Sequence, residues 1–372
     1  MLKVGITGQK GFVGTHLFNT LGLQPEVFER ISFERSFLDD DVKLDSFVSQ
    51  CDVIVHLAAL NRHNEQEVIY DTNLNLVKLL VASLERTNSK AHVLISSSSQ
   101  EERDNLYGKS KKEGRELLAN WAKKTGANFT GLIIPNVFGP FGHPYYNSVV
   151  ATFSHQVANG ETPKIEVDGQ LKLIYVGELV AEIVNAIQNK TNDPKYTVNH
   201  TSEAKVSELL ALLQDYKTTY QEQGQIPAIT STFELNLFNT FRCYMDIASH
   251  FPVKFTQHTD PRGTFVEVIR LGVGGQVSFS TTVPGIKRGN HYHTRKIERF
   301  AVIKGKALIQ LRKIGTDEVL DFYLDGHEPS YVDMPIWYTH NIKNIGDEVL
   351  YTNFWINEFF DPNDPDTYFE NV

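Results

Sequence analysis

Four residues in the second half of this 372-residue chain have the types and spacing of a metal-ligand set. His291 and His293 stand two apart, so on one strand they point to the same face. Glu298 follows five residues later, and His340 closes the run Pro335-Ile-Trp-Tyr-Thr-His340 after a proline turn. Three imidazoles and one carboxylate are borderline donors, suited to zinc, iron, nickel or manganese. The first half holds a different chemistry. In Tyr107-Gly-Lys-Ser-Lys111 the tyrosine and the second lysine are four apart and share one face of a helix. A nearby cation stabilises a phenolate and lowers its pKa, which suits the tyrosine to exchange a proton with a substrate oxygen. The serine run Ser96–Ser99, at the end of an apolar strand, offers hydroxyls to the same oxygen. Gly8, Gly11 and Gly14 form a G-x-x-G-x-x-G pattern between a strand and a helix. Glycine there serves the tight turn, the close approach of a pyrophosphate and the helix–strand packing. The helix N-terminus adds free N–H groups for the phosphates. About 20 residues further on, Glu34 would hold the ribose hydroxyls of NAD, whereas Arg35 would accept the extra phosphate of NADP. Both readings stand on the residues alone.

The elements that must carry these groups fall into two rhythms. Up to about residue 200, short apolar runs (Leu2–Ile6, Val53–Leu57, Val93–Ile95, Gly131–Ile134) alternate with amphipathic stretches such as Asn73–Glu85 and Lys109–Lys124. Leu117, Leu118 and Trp121 make the apolar stripe of the latter, and Gly126 is its expected stop. Val180, Ile183, Val184 and Ile187 mark another helix by their i, i+3, i+4, i+7 spacing. Strands alternating with helices predict a doubly wound α/β unit, a parallel sheet covered on both faces. Residues 201–250 read as helical. From about 252 short strands separated by Gly, Pro, Asp and Asn predict an all-β sandwich or barrel, with the boundary near His250–Pro252.

Composition narrows the partners. Hydrophobic residues are 41% and charged residues 22%, ordinary for a folded chain. A net charge of −9 argues against nucleic acid as a partner. No apolar run reaches the length of about 18 residues that a spanning helix needs, so no membrane association is expected. The opening Met1-Leu-Lys-Val-Gly-Ile-Thr-Gly reads as a strand and not as a signal peptide. Two cysteines, Cys51 and Cys243, build no disulfide framework and fit a reducing cytoplasm.

The first half resembles an extended short-chain dehydrogenase/reductase with a Rossmann-type fold. The matching pieces are Thr7-Gly-x-x-Gly-x-x-Gly14, His56-Leu-Ala-Ala59, Asn73, the serine run, Tyr107-x-x-x-Lys111 and Pro135-Asn-Val-Phe-Gly-Pro140. The resemblance implies that Gly8, Gly11, Phe12, Val13, Gly14, Arg35, Leu57, Ala58, Ala59, Asn73, Tyr107 and Lys111 surround the nicotinamide cofactor. Tyr107 would be the general acid, Lys111 would bind the nicotinamide ribose, and a serine would position the substrate. By strand register Ser97 is the first choice and Ser98 the second. Asn136 falls among the implied substrate contacts. The stretch between the serines and Tyr107 is shorter than in most members, which implies a more open substrate site. Substrates of this branch are nucleotide sugars carrying a 4-keto group.

The second half resembles the cupin family, a jelly-roll barrel. G-x5-H-x-H-x4-E-x6-G is met by Gly285, His291, His293, Glu298 and Gly305. P-x-G-x2-H-x3-N is met by Pro335, His340 and Asn344, with Trp337 in the usual glycine's place, a departure expected to alter that loop. Asp260–Glu267 and Lys287–Tyr292 are similar to the substrate segments of dTDP-sugar 3,5-epimerases, and there Arg262 and Arg288 would suit a diphosphate. Together the halves resemble, over essentially the full chain, the bifunctional reductase–cupin enzymes of capsular polysaccharide synthesis. That resemblance implies a homodimer with zinc on His291, His293, Glu298 and His340, using NADPH. It implies C3 epimerisation of UDP-2-acetamido-2,6-dideoxy-β-L-arabino-hexos-4-ulose in a cupin domain (251–372), then C4 reduction in a reductase domain (1–250). Three other readings remain at this level: a dTDP-sugar epimerase–reductase, a ketoreductase whose cupin only dimerises, and a nucleotide-sensing regulator. The presence of both Tyr107 and Lys111 weighs against the last.

Overall fold

Runs that are apolar on both faces build the first sheet. In the computed structural model, which describes residues 1–261 and 263–372, strands β1 (Leu2–Thr7), β2 (Phe28–Ile31), β3 (Val53–His56), β4 (His92–Ser98), β5 (Phe129–Ile134) and β8 (Asp193–Thr197) pair in the order β2-β1-β3-β4-β5-β8. Every pairing in it is parallel. All four residues of β3 are buried, as a sheet covered on both faces requires. Helices α2 (Asp41–Gln50), α3 (Gln66–Arg86) and α4 (Leu106–Thr125) supply one core, with Phe47, Leu80, Leu84, Leu118 and Trp121. Helices α1 (Phe12–Leu21) and α6 (Val176–Gln188) supply the other, with Leu17, Leu179, Ile183 and Ile187. Strands β6 (Asn136–Phe138), β7 (Gln170–Tyr175) and β9 (Ser202–Lys205) form a small second sheet, and α5 covers Val149–Ala158. Helix α4 starts on the Asn105 side chain, which accepts from the Gly108 N–H at 2.7 Å, and stops at Gly126 in the left-handed conformation.

The second unit is the expected all-β body. Strands β10 (Val253–Lys254), β13 (Gln276–Thr282), β15 (Glu298–Lys304), β18 (Ser330–Met334) and β20 (Leu350–Ile356) form one five-stranded sheet. Strands β14 (Lys287–Tyr292), β16 (Lys306–Lys313), β17 (Val319–Asp325), β19 (Tyr338–Asn344) and β21 (Tyr368–Phe369) form the other. All their pairings are antiparallel. Phe300, Val302, Ile309, Leu311, Phe322, Leu324, Val332 and Ile342 fill the space between the two sheets. A separate hairpin joins β11 (Gln257–Asp260) to β12 (Gly263–Val266). Arg262, the expected diphosphate ligand, lies outside the described residues.

The division between the units differs from the expected boundary near residue 250. One compact unit is Met1–Thr152 with Ile165–Val206; the other is Phe153–Lys164 with Ser207–Val372. Helix α7 (Val206–Tyr216) and helices α8 (Thr232–Arg242) and α9 (Ile247–His250) therefore belong physically with the β-strands. The reason is a buried polar lock. Arg299 on β15 makes a two-pronged ion pair with Asp333 on β18 (2.7 and 2.9 Å) and donates to the Gly224 carbonyl at 2.9 Å. Tyr220 donates to the same carboxylate at 2.8 Å, and Arg242 of α8 reaches the Met334 carbonyl at 3.0 Å. Buried charges persist only when paired in this way, so the helices cannot leave without exposing or orphaning them.

Candidate active site and metal centre

The glycine turn forms as its spacing requires. Gly11 donates its N–H to the Gly8 carbonyl at 2.9 Å, and α1 starts at Phe12 with no side-chain cap. A Cβ on Gly14 would lie 2.2 Å from the Gly8 oxygen, so only glycine lets the helix pack on the turn. Phe12 and Val13 head the helix, and Arg35 is exposed at the start of a short 3-10 turn after β2. Opposite the turn, Leu57 donates to the Thr7 carbonyl at 3.0 Å and Ala58 to the Thr7 hydroxyl at 3.4 Å. That hydroxyl also bonds the His56 Nδ1 at 2.7 Å. Burial drives the His56 pKa down to about 3, so a neutral ring fixes this loop. Asn73 spends its amide on the backbone of Leu60 (2.7 and 3.0 Å) and on the Ser110 hydroxyl (3.2 Å). It therefore holds loop 57–60 against α4, which carries the tyrosine. Asn136 is exposed on β6.

Tyr107 and Lys111 share a face of α4, and the Lys111 Nζ lies 5.9 Å from the Tyr107 ring centre. The ammonium donates to the Ser96 carbonyl at 3.1 Å. The Ser97 hydroxyl donates to Glu101, whose carboxylate is held by Arg115 through two bonds of 2.8 Å. Ser98 is the serine whose side chain draws the Tyr107 pKa down. The tyrosine is not acidified in the chain alone. Burial pushes its pKa up to about 12 against the pull of Ser98, with Tyr146 adding in the same direction. Burial also brings Lys111 down to about 8. A tyrosine that keeps its proton suits a general acid. In the direction of ketone reduction, kcat/KM is therefore expected to be flat from pH 6 to 7.5. It should fall as pH rises through about 8, where Lys111 loses its charge while Tyr107 remains protonated. A profile rising through pH 8 would contradict this assignment.

The short connection between the serines and Tyr107 is closed by contact. A Cβ on Gly108 would sit 2.1 Å from the Gln100 carbonyl, so glycine lets α4 start directly against the turn at 99–102. Tyr146 was not visible in the motifs. Its hydroxyl accepts the Asn61 N–H at 2.9 Å, and no spacing rule links it to Tyr107, 39 residues earlier.

In the β unit the structure brings all four expected ligands together. His291 is the second-last residue of β14, Glu298 opens β15, and His340 lies on β19 directly across the ladder from His291. One donor atom from each of His291, His293, Glu298 and His340 lies within 4.8 Å of the rest. Among the described residues this is the group with that geometry. The His293 and His340 Nε2 atoms stand 3.0 and 3.2 Å from the Glu298 carboxylate, yet these buried atoms make no aligned hydrogen bond. Lone pairs converging on a common centre are what a metal ion satisfies: ligand bonds of about 2.0–2.1 Å place neighbouring donors roughly 3.3 Å apart. Burial lowers the His291 pKa to about 4, keeping it neutral and able to donate a lone pair. Burial opposes charge on Glu298 as well, but His293 and His340 hold its carboxyl far below the ordinary range.

Trp337 takes a left-handed backbone conformation (φ +62°), which glycine adopts without strain. Its N–H donates to the His293 carbonyl at 2.8 Å and its ring stacks on Tyr292 at 5.7 Å. The ring contact and the backbone bond oppose a strain of about 1–3 kcal/mol. Arg288 is exposed on β14 and donates to the Thr281 carbonyl at 3.3 Å.

Comparison with known proteins agrees with this geometry. Residues 4–199 match the NAD dependent epimerase/dehydratase family, and residues 258–368 match the polysaccharide biosynthesis C-terminal domain. The chain is 32% identical to a UDP-2-acetamido-2,6-beta-L-arabino-hexul-4-ose reductase of Pseudomonas aeruginosa, over 99% of this chain and 98% of that one. It is similar to the crystal structure of the capsular polysaccharide assembling protein CapF from Staphylococcus aureus, at 35% identity, full coverage of both chains and a TM-score of 0.63. RMD from Pseudomonas aeruginosa, solved with NADPH, shares the fold at 20% identity over 59% of this chain and 83% of that one, with a TM-score of 0.53.

Proposed function

Because the chain belongs to the NAD-dependent epimerase/dehydratase family and, along its whole length, to the reductase–cupin family of CapF, we propose that it is a bifunctional nucleotide-sugar enzyme. It epimerises C3 of UDP-2-acetamido-2,6-dideoxy-β-L-arabino-hexos-4-ulose and reduces the C4 ketone with NADPH to UDP-2-acetamido-2,6-dideoxy-β-L-talose, the precursor of UDP-N-acetyl-L-fucosamine for capsular polysaccharide. The observation that carries this reading is the pairing of two complete sites on one chain: Ser98, Tyr107 and Lys111 beside a glycine turn, and three histidines with one glutamate in a jelly roll. We assign reduction to residues 1–250 and epimerisation to residues 251–372, even though α7–α9 pack with the β-strands.

The order follows from carbon acidity. A proton at C3 is labile only while C4 is a ketone, because the carbanion spreads into the carbonyl oxygen. Reduction removes that lability and locks the new centre, so epimerisation precedes it. When bound, the nicotinamide supplies a hydride to C4, and a metal supplies Lewis acidity at the keto oxygen. The chain's own groups do the rest. Tyr107 gives its proton to the C4 oxygen, Ser98 positions that oxygen and the tyrosine, and Lys111 holds the nicotinamide ribose. Gly8, Gly11 and Gly14 with the start of α1 receive the pyrophosphate. Arg35, exposed after β2, favours the 2′-phosphate of NADPH. His291, His293, Glu298 and His340 hold zinc, and Arg288 and Asn136 face substrate.

The protein is a cytoplasmic homodimer in this reading. Cys51 and Cys243 are not joined in a disulfide. Among the described residues, no helix is long and apolar enough to cross a membrane. Val277 and Phe279 on edge strand β13 expose 54% and 72% of their surface, an apolar face that a second copy would cover. The test is NMR of the product made with NADPH: inversion at C3 together with a C4 hydroxyl supports the assignment, and a C4 alcohol with C3 unchanged contradicts it.

A further inference from the structure

We infer that Asp366 is the positioning residue that sets the metal affinity of the histidine–glutamate cluster. The inference rests on the metal reading above. His293 donates its Nδ1–H to the Asp366 carbonyl. A carbonyl can only accept, so the ring proton is fixed on Nδ1 and the Nε2 lone pair is turned to the centre. The Asp366 carboxylate secures the turn that follows His293. It accepts from the backbone N–H groups of Thr294 (3.0 Å), Arg295 (3.0 Å) and Lys296 (3.1 Å) and from the Thr294 hydroxyl (2.6 Å). The residue is 2% exposed and left-handed (φ +39°), a conformation that aspartate tolerates better than most side chains.

The same segment reaches a second ligand. Two residues on, β21 pairs with β14, placing Phe369 opposite His291 and Tyr368 opposite Tyr292, and Glu370 donates to the Asn290 carbonyl at 3.1 Å. One stretch of chain thus fixes the tautomer of His293, the turn behind it and the strand that carries His291. Asp364 clamps the Arg295 guanidinium through its carboxylate (2.8 and 3.1 Å) and its carbonyl (3.2 Å).

The test uses the full chain, zinc-loaded and stripped. Zinc affinity is read by competition with a chromogenic chelator, ligand geometry by the d–d absorption of the cobalt(II) form, and folding by thermal unfolding of the stripped protein. Asp366→Ala should lower zinc affinity about 10–100-fold and change the cobalt spectrum. Asp366→Asn, which keeps an acceptor oxygen and tolerates the same φ, should fall between it and the parent. Asp364→Asn, which loosens the segment without touching His293, should bind zinc as the parent does. If Asp366→Ala does not fold, Asp366→Asn decides. Parental affinity in the Asp366 variants overturns the inference. So does an equal loss in Asp364→Asn, which would mark general loosening. A parent chain that takes up no stoichiometric zinc overturns the metal reading, and this inference with it.

Discussion

Tyr107→Phe is expected to lower NADPH oxidation about 10²–10⁴-fold while leaving deuterium exchange at C3 at the parental rate. The loss corresponds to roughly 3–5 kcal/mol of transition-state stabilisation. The size follows from what the substitution removes. The ring stays, so the packing of α4 is kept, and Ser98 retains the Gln100 N–H at 3.2 Å. What disappears is the proton that a buried phenol, its pKa pushed up to about 12, carries at neutral pH for delivery to the C4 oxygen. Lys111 cannot replace it, because its ammonium is engaged with the Ser96 carbonyl. A fall of less than about 10-fold would show that water supplies that proton and Tyr107 is not the acid. Loss of both activities would contradict independent sites for the two reactions.

His291→Ala is expected to do the reverse. Removing one of four converging donors leaves two histidines and a glutamate, with their lone pairs facing one another and no fourth ligand. Zinc content should fall below stoichiometric, and C3 exchange should drop to the solvent background. NADPH oxidation should persist when the already epimerised ketone is supplied. Thermal unfolding of the metal-free parent beside the variant separates metal loss from misfolding. If the variant still exchanges C3 deuterium at the parental rate, the β unit is not the epimerase.

How much of this was legible in the sequence depends on the physics of each element. Helical spacing put Tyr107 and Lys111 on one face, and strand periodicity did the same for the His291–His293 pair. Both periods are fixed by backbone geometry, so neither needs tertiary information. The choice between Ser97 and Ser98 was not legible. Strand β4 is buried on both faces, so alternation says nothing about which hydroxyl turns to the tyrosine. The Glu101–Arg115 ion pair, which takes the Ser97 hydroxyl, lies off the strand. The packing of α7–α9 with the β-strands was hidden for a similar reason. Helices α7–α9 carry ordinary amphipathic patterns, and their attachment to the β-strands rests on Arg299, Asp333 and Tyr220, residues distant in sequence. Trp337 shows the converse: the motif's glycine is gone, yet the backbone takes a left-handed conformation because stacking on Tyr292 and the bond to His293 hold it there. Asp366, 73 residues beyond His293, follows no local period at all.

The most direct test of the central claim is a paired assay in deuterated water. The full-length protein is mixed with the UDP-4-keto-6-deoxy-N-acetylhexosamine, with and without NADPH. Deuterium entering C3 without NADPH, and NADPH consumption once it is added, is the predicted result: an epimerase feeding a reductase on one chain. NADPH consumption with no exchange at C3 would contradict it, leaving a ketoreductase whose histidine-bearing domain serves assembly alone.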